Sequence, residues 1–264
     1  MKKYFVIGNP IDHSLSPKLH NYWLKENKID AIYDKRKIDE QDLKTIISEV
    51  KEKKINGINV TVPFKKLVIP YLDKLSPEAE QSHSVNTVIL DNNDLVGLNT
   101  DIVGFTNAIK DLQFNTKGKK VIILGAGGVV PSIIFALNKM EVSRIIITNR
   151  TKQKAESLKT QFPNISIIDW GEMIDFDLVI NATSLGLNNE IINLDFSRSK
   201  KNKLFYDVIY NPNETNFLKE GKKLGNQIEN GKLMFIYQAQ EAFKIWHGIK
   251  PEISHKTLKL FEND

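Results

Sequence analysis

The chain has 264 residues, 41% hydrophobic and 26% charged, which suits one large or two modest globular domains with a sizeable core. Its net charge of +5 comes from scattered lysines without an arginine-rich or aromatic-interleaved stripe, which argues against a nucleic-acid partner. It has no cysteine, which excludes a disulfide framework and a thiolate metal site, and no apolar run of membrane-spanning length. The apolar run Tyr4–Ile7 is too short for a signal-peptide core, so a reducing cytoplasm is the expected compartment.

Tyr4–Ile7 reads as a short strand closed by Gly8-Asn9-Pro10. A helix follows, with Ser16 as its expected N-cap, Pro17 in its first turn, and Leu19 and Trp23 facing inward. Ser14 has no capping role in this reading; with Ser16 it makes a candidate carboxylate cradle at the helix N-terminus. His13 and His20 lack paired-ligand spacing and a nearby acidic cluster, so no metal site is expected. Ala31–Lys37 reads as a strand, and Asp39 as the cap of a helix burying Leu43, Ile46, Ile47 and Val50.

In Gly57–Lys66, Ile58, Val60 and Val62 alternate with Asn59 and Thr61, as on a two-faced strand. Pro63 stops the strand, so Lys65 falls just past its carboxyl end, where ligands bind in open α/β sheets. Lys66 reads as a solvated lysine. Ser84–Leu90 and Leu95–Leu98 read as a hairpin around Asp91–Asp94. Asn99-Thr100-Asp101 then caps a helix burying Phe105, Ile109 and Leu112; composition alone makes Asp101 a helix cap. The polar segment Gln113–Lys119 reads as a domain boundary.

Lys120–Arg150 follows as a βαβ unit. Val121–Leu124 is a buried strand, Gly125-Ala126-Gly127-Gly128 a glycine-rich turn, Ile133, Ile134, Ala136, Leu137 and Met140 one helical face, and Ile145–Ile147 a second strand. Glycines let the turn be tight and let a pyrophosphate approach the backbone, while the helix directs free N–H groups at that anion. The second strand ends in Asn149-Arg150-Thr151, with Lys152 and Lys154 beyond and no carboxylate before Glu156. An NAD site places Asp or Glu there, whereas a guanidinium grips a 2′-phosphate through a bidentate fork. Only four of the 37 basic residues are Arg, so Arg150 points to NADP(H) rather than NAD(H); the competing reading is a solvated basic helix start. Asp177–Asn181 is another buried strand, and its end, Ala182-Thr183-Ser184-Leu185-Gly186, suits the nicotinamide side of a cofactor in a doubly wound sheet. Leu204–Val208 is a further strand ahead of Tyr210, Asn226–Gly231 is turn-rich, and Met234–His247 is a helix with Gln238 near its start.

Taken together and in order, these strings resemble the shikimate dehydrogenase family nearly end to end. The carriers are Gly8-Asn9-Pro10, His13–Pro17 with His20-Asn21, Asn59–Pro63 with Lys65, Val85-Asn86-Thr87, Asn99-Thr100-Asp101, Gly125–Gly128, Asn149-Arg150-Thr151, Asn181–Ser184, Asp207 with Tyr210, and Gln238-Ala239. The resemblance implies a two-domain α/β protein. An N-terminal open α/β substrate domain would take residues 1–101, joined by C-terminal helices in 233–264. A doubly wound Rossmann-type NADP-binding domain would take 102–232. The implied reaction is reversible NADPH-dependent reduction of 3-dehydroshikimate to shikimate, on the route to chorismate and aromatic amino acids.

By the same resemblance, Ser14 and Ser16 would bind the substrate carboxylate, and Asn59, Thr61, Asn86, Asp101 and Gln238 the ring hydroxyls. Lys65 and Asp101 would be the catalytic pair, and Tyr210 would border substrate and nicotinamide. Gly125, Ala126, Gly127, Gly128, Asn149, Arg150, Thr151, Lys154, Thr183 and Ser184 would hold the cofactor. Pro131-Ser132 and Lys232-Leu233 depart from the family's usual residues; the first departure shifts phosphate binding onto Arg150. The expected partners are small molecules, with no nucleic acid or membrane, in a monomer or homodimer. A quinate/shikimate dehydrogenase of broader specificity, another NADP-dependent oxidoreductase and a non-catalytic module on the same fold are the alternatives.

Overall fold

The computed structural model describes residues 1–197 and 201–261. It forms two compact units, Met1–Gly104 with Ile236–Asp264, and Phe105–Phe235, each built on a six-stranded sheet. The first contains β1 (Lys2–Gly8), α1 (Ser16–Glu26), β2 (Ala31–Lys37), α2 (Leu43–Lys51), β3 (Gly57–Val60), β4 (Lys74–Leu75), α3 (Pro77–Ser82), β5 (Thr87–Asp91), β6 (Asp94–Leu98) and the start of α4 (Asp101–Asp111). The second contains β7 (Lys120–Leu124), α5 (Val130–Lys139), β8 (Arg144–Thr148), α6 (Lys152–Gln161), β9 (Ser166–Ile168), β10 (Leu178–Asn181), β11 (Leu204–Asp207), α7 (Asn216–Lys223) and β12 (Gln227–Glu229). Most of α8 (Lys232–His247) and all of α9 (His255–Lys259) return to the first unit.

The first sheet has the order β2-β1-β3-β5-β6-β4. β2, β1 and β3 are parallel, β5 is antiparallel to β3, and β6 is antiparallel to β5. The carboxyl ends of β1, β3 and β6 and the amino end of β5 therefore share one edge of the sheet. One face packs Ile7, Ile58, Val60 and Val88 against the apolar stripe of α2, Leu43, Ile46, Ile47 and Val50. The opposite face carries aromatic rings from β1, β2, α1 and α8: Tyr4 lies 5.0 Å from Trp246, and His20 stacks on Tyr33 at 4.1 Å. Gly57 makes room for this layer, since a Cβ there would lie 2.4 Å from the Trp246 indole nitrogen. That indole N–H donates to the Val88 carbonyl at 3.3 Å, tying α8 to β5.

The second sheet has the order β12-β11-β10-β7-β8-β9, with every pairing parallel. Two half-sheets diverge between β7 and β10, which is the doubly wound arrangement expected from the sequence. The residues of α5 from Val130 to Leu137 are all buried, so this helix is enclosed on more than the single face its periodicity indicates. Among the described residues no helix is long and apolar enough to cross a membrane.

Several local expectations are corrected. Ser16 is not the cap of α1: it is the first helical residue, Leu15 holds the cap position, and the Ser14 hydroxyl accepts from the Ser16 amide at 3.4 Å. Val62 is 53% exposed because β3 ends at Val60, before the alternation can extend to it. β5 starts at Thr87 rather than Ser84, because the Val85 amide is drawn to the Lys65 carbonyl. Leu112 is only half-buried, one residue past the end of α4. The turn-rich Asn226–Gly231 contains the three-residue edge strand β12, too short to show a period in the sequence.

His20 is 1% exposed, and its Nε2 has no hydrogen-bond partner. Burial, aided by nearby His247, lowers it from 6.5 to about 3. The unfolded chain therefore binds this proton first, so stability is lost as pH falls below 6.5, by about 1.4 kcal/mol per unit for a single group. Urea unfolding across that range should show the slope in the parent protein and a shallower one in His20→Gln.

Candidate functional site

The shared edge of the first sheet gathers the polar groups of the first unit. Lys65 follows β3, Asn86 precedes β5, and Asp101 opens α4 after β6. Lys65 Nζ lies 2.5 Å from Asp101 Oδ2, with the two side chains only 12% and 8% exposed. Asn86 Nδ2 donates to the other carboxylate oxygen, Oδ1, at 2.9 Å. Asn86 Oδ1 accepts from the Thr100 amide at 2.7 Å, which fixes the amide's orientation. The helix-cap reading of Asp101 is thereby displaced: the Asn99 side chain accepts from the Asp101 amide, and both oxygens of Asp101 face Lys65 and Asn86.

Asn59 is 6% exposed and extensively bonded. Its Nδ2 donates to the Asn86 carbonyl and to Thr87 Oγ, each at 3.0 Å, and its Oδ1 accepts from the Tyr33 hydroxyl at 2.6 Å. One lone pair on Oδ1 is what remains for a substrate hydroxyl. Gln238, on α8, brings its Oε1 to 3.5 Å from Asn86 Nδ2. Thr61 is half-buried just after β3, with its amide on the Ile7 carbonyl, and Ser14 and Ser16 lie at the start of α1. Thr87 and Thr100 lie inside the motif strings Val85-Asn86-Thr87 and Asn99-Thr100-Asp101 but carry no site role in the sequence reading, and Tyr33 sits in a strand with no motif around it; the tertiary hydrogen bonds bring all three to the site.

In the second unit, the loop Gly125–Gly128 leaves β7 and leads into α5. Gly125 has φ +110°, and a Cβ there would lie 2.9 Å from the Ala182 carbonyl oxygen, so this turn requires glycine. At exposed Gly127 the nearest neighbour of such a Cβ is 3.9 Å away, which leaves that side of the loop open. The Gly125 amide donates to the Thr148 carbonyl at 2.8 Å, joining the loop to the end of β8. There Asn149 Nδ2 donates to the Thr151 carbonyl at 2.7 Å, shaping the turn that exposes Arg150. Lys152 is engaged with Asp169 at 2.7 Å, whereas Arg150 makes no ion pair among the described residues. Lys154 is exposed in the first turn of α6. Pro131 and Ser132 are buried in α5.

The loop after β10 is shaped from within. Asn181 Oδ1 accepts from both the amide and the hydroxyl of Thr183, and its Nδ2 donates to the Leu185 carbonyl and to Asp207 Oδ1. Asp207 is fully buried and also accepts from the Ile209 amide at 3.0 Å and the Thr215 hydroxyl at 2.6 Å. Burial pushes its carboxyl up to about 6, against the hydrogen bonds that favour its charged form. Ser184 is exposed on this loop, and Tyr210 stacks on Phe235 at 4.8 Å.

Comparison with known proteins gives one consistent result. Residues 6–88 match the family model for the shikimate dehydrogenase substrate binding domain, and residues 107–214 that for shikimate / quinate 5-dehydrogenase. The chain is 56% identical to a shikimate dehydrogenase (NADP(+)) of Pelagibacter ubique (strain HTCC1062), covering 99% of this chain and 100% of that one. Its structure is similar to that of shikimate dehydrogenase from Aquifex aeolicus, with TM-score 0.92, 35% identity and 100% and 98% of the two chains covered. It is also similar to shikimate 5-dehydrogenase from Thermus thermophilus in complex with NADP(H) and shikimate, with TM-score 0.90, 31% identity and 98% of each chain covered.

Gly125→Ala forces a side chain into a left-handed backbone and against the Ala182 carbonyl. It should cost about 1–3 kcal/mol, read as a lower urea midpoint at an unchanged slope.

Proposed function

The chain belongs to the shikimate dehydrogenase family, and on that premise we propose which of its residues perform the family's reaction. The enzyme is an NADP-dependent oxidoreductase that reversibly reduces 3-dehydroshikimate to shikimate. The observation supporting the residue assignment is the nearly buried Lys65–Asp101 pair, backed by Asn86. NADPH, when bound, supplies the hydride to the substrate's ketone carbon.

As that carbon is reduced, negative charge develops on the carbonyl oxygen. The Lys65 ammonium stabilises this charge and donates the proton that completes the hydroxyl. In the oxidation direction, neutral Lys65 takes the proton back from the hydroxyl. Asp101 keeps Lys65 oriented through Oδ2, and Asn86 keeps Asp101 oriented through Oδ1. Remaining lone pairs on Asp101 accept from a neighbouring ring hydroxyl. Ser14 and Ser16 receive the substrate carboxylate, while Asn59, Thr61, Asn86 and Gln238 meet the ring hydroxyls. Residues 1–101 with 233–264 serve as the substrate domain and 102–232 as the NADP domain, with Tyr210 beside the nicotinamide.

The second unit has the features an NADP site requires. The open side at Gly127 admits a pyrophosphate against the backbone and the start of α5. Arg150, exposed and without a carboxylate partner among the described residues, would take the 2′-phosphate, with Asn149, Thr151 and Lys154 around it. Thr183 and Ser184 would face the nicotinamide half. The enzyme works as a monomer or homodimer in the cytoplasm, with small molecules as its ligands.

Two variants test the assignment, followed through nicotinamide absorbance with 3-dehydroshikimate. Lys65→Ala should lower kcat by about a hundredfold or more with little change in KM; an unchanged kcat removes Lys65 from the chemistry. Arg150→Ala should raise the KM for NADPH by about tenfold and leave that for NADH unaltered, narrowing the preference between them. Equal effects on both cofactors would remove Arg150 from 2′-phosphate recognition.

A further inference from the structure

Tyr33 lies on β2, a strand with no residue in the assigned site, yet its hydroxyl is bonded to Asn59, a residue of that site. The strand register puts Tyr33 level with Tyr4 and Gly57, and Lys35 level with Val6 and Asn59. Paired residues of a parallel sheet, and residues two apart along a strand, share a face, so Tyr33 and Asn59 point to the same side. From there the Tyr33 hydroxyl donates to Asn59 Oδ1 at 2.6 Å. The ring is 2% exposed and is held by the parallel stack with His20, interplanar angle 3°. Such a ring cannot swing aside without breaking the aromatic layer between the sheet and α1.

The hydrogen bonds continue beyond Asn59. Asn59 Nδ2 donates to Thr87 Oγ at 3.0 Å, Thr87 Oγ donates to Asn86 Oδ1 at 3.1 Å, and Asn86 Nδ2 donates to Asp101 at 2.9 Å. One buried chain of polar groups thus runs from Tyr33, through Asn59, Thr87 and Asn86, to the Asp101–Lys65 pair. The partners named for Asn59 use both hydrogens of its amide, so the Tyr33 hydroxyl is what determines which way Oδ1 presents its remaining lone pair.

We infer that Tyr33 is a positioning residue for substrate binding, setting the orientation of Asn59 so that the remaining lone pair on its Oδ1 meets a ring hydroxyl. This rests on the proposed assignment of Asn59 to substrate binding.

The test is a steady-state comparison of Tyr33→Phe, Asn59→Ala and the double variant Tyr33→Phe/Asn59→Ala. Tyr33→Phe removes one oxygen and retains the stacked ring. It should raise the KM for shikimate by about tenfold, with kcat within about threefold, an unchanged KM for NADP and a similar melting temperature. In the double variant the two effects should fall short of multiplying, because both substitutions break the same link. An unchanged KM for shikimate in Tyr33→Phe, or full multiplication in the double variant, overturns the inference. If Asn59→Ala leaves the KM for shikimate unchanged, it is the assignment of Asn59 to the substrate site that fails. If Tyr33→Phe melts too early to assay, Thr87→Val breaks the next link away from the aromatic stack. The same selective rise in the KM for shikimate is then expected, and its absence overturns the inference.

Discussion

An ammonium and a carboxylate withdrawn from water lose hydration worth several kcal/mol each, and their attraction offsets that loss only when the remaining polar atoms are also satisfied. Lys65 and Asp101 meet this condition through a surrounding shell. Asn86 bonds to Asp101, the Thr100 amide fixes Asn86, and Thr87 and Asn59 complete the set. Much of the first unit can be understood as what it takes to hold these groups at one sheet edge. The antiparallel β5 brings Asn86 back beside the end of β3, and β6 returns the chain so that α4 opens on Asp101.

The two-residue hairpin turn makes that return possible. Asn92 and Asn93 take φ values of 45° and 72°, the left-handed pair that suits the twist of a tight hairpin. On the far side of the sheet, the aromatic layer is equally constrained. Gly57 admits Trp246, and Trp246 brings α8 down so that Gln238 approaches Asn86. The apolar packing and the polar edge are thus joined through single residues rather than stacked independently.

The second unit applies the same physics to backbone rather than to side-chain charge. Asn181 and Asp207 are buried polar groups at adjacent strand ends, and each meets several partners in the loops that follow. A loop fixed in this way presents Thr183 and Ser184 from a rigid support. Gly125, pressed against the Ala182 carbonyl, links that loop to the glycine turn after β7. Hydrogen bonds and close packing within the chain thus shape both loops together.

Much of this was legible in the sequence. Continuous apolar runs followed by glycines identify buried strands and the turns after them, because strand burial and left-handed backbone each restrict which residues fit. Ordered motifs likewise named Lys65, Asp101, Asn86 and Arg150, whose chemistry is local to their side chains. What the sequence left open were choices between equivalent local roles. Asp101 reads equally well as a helix cap, and Ser16 as the cap of α1, because each type satisfies a helix end by itself. Only the fold turns the Asn99 side chain to accept from the Asp101 amide, assigns the Ser16 amide to Ser14, and lays Tyr33 beside Asn59 across an intervening strand. These are hydrogen bonds between residues distant in sequence or between competing neighbours, and their outcome depends on sheet order and register. The sequence by itself determined which chemical groups the protein has and which strands deliver them; the tertiary structure decided which of those groups bond to one another, because burial obliges each polar atom to find a partner in three dimensions.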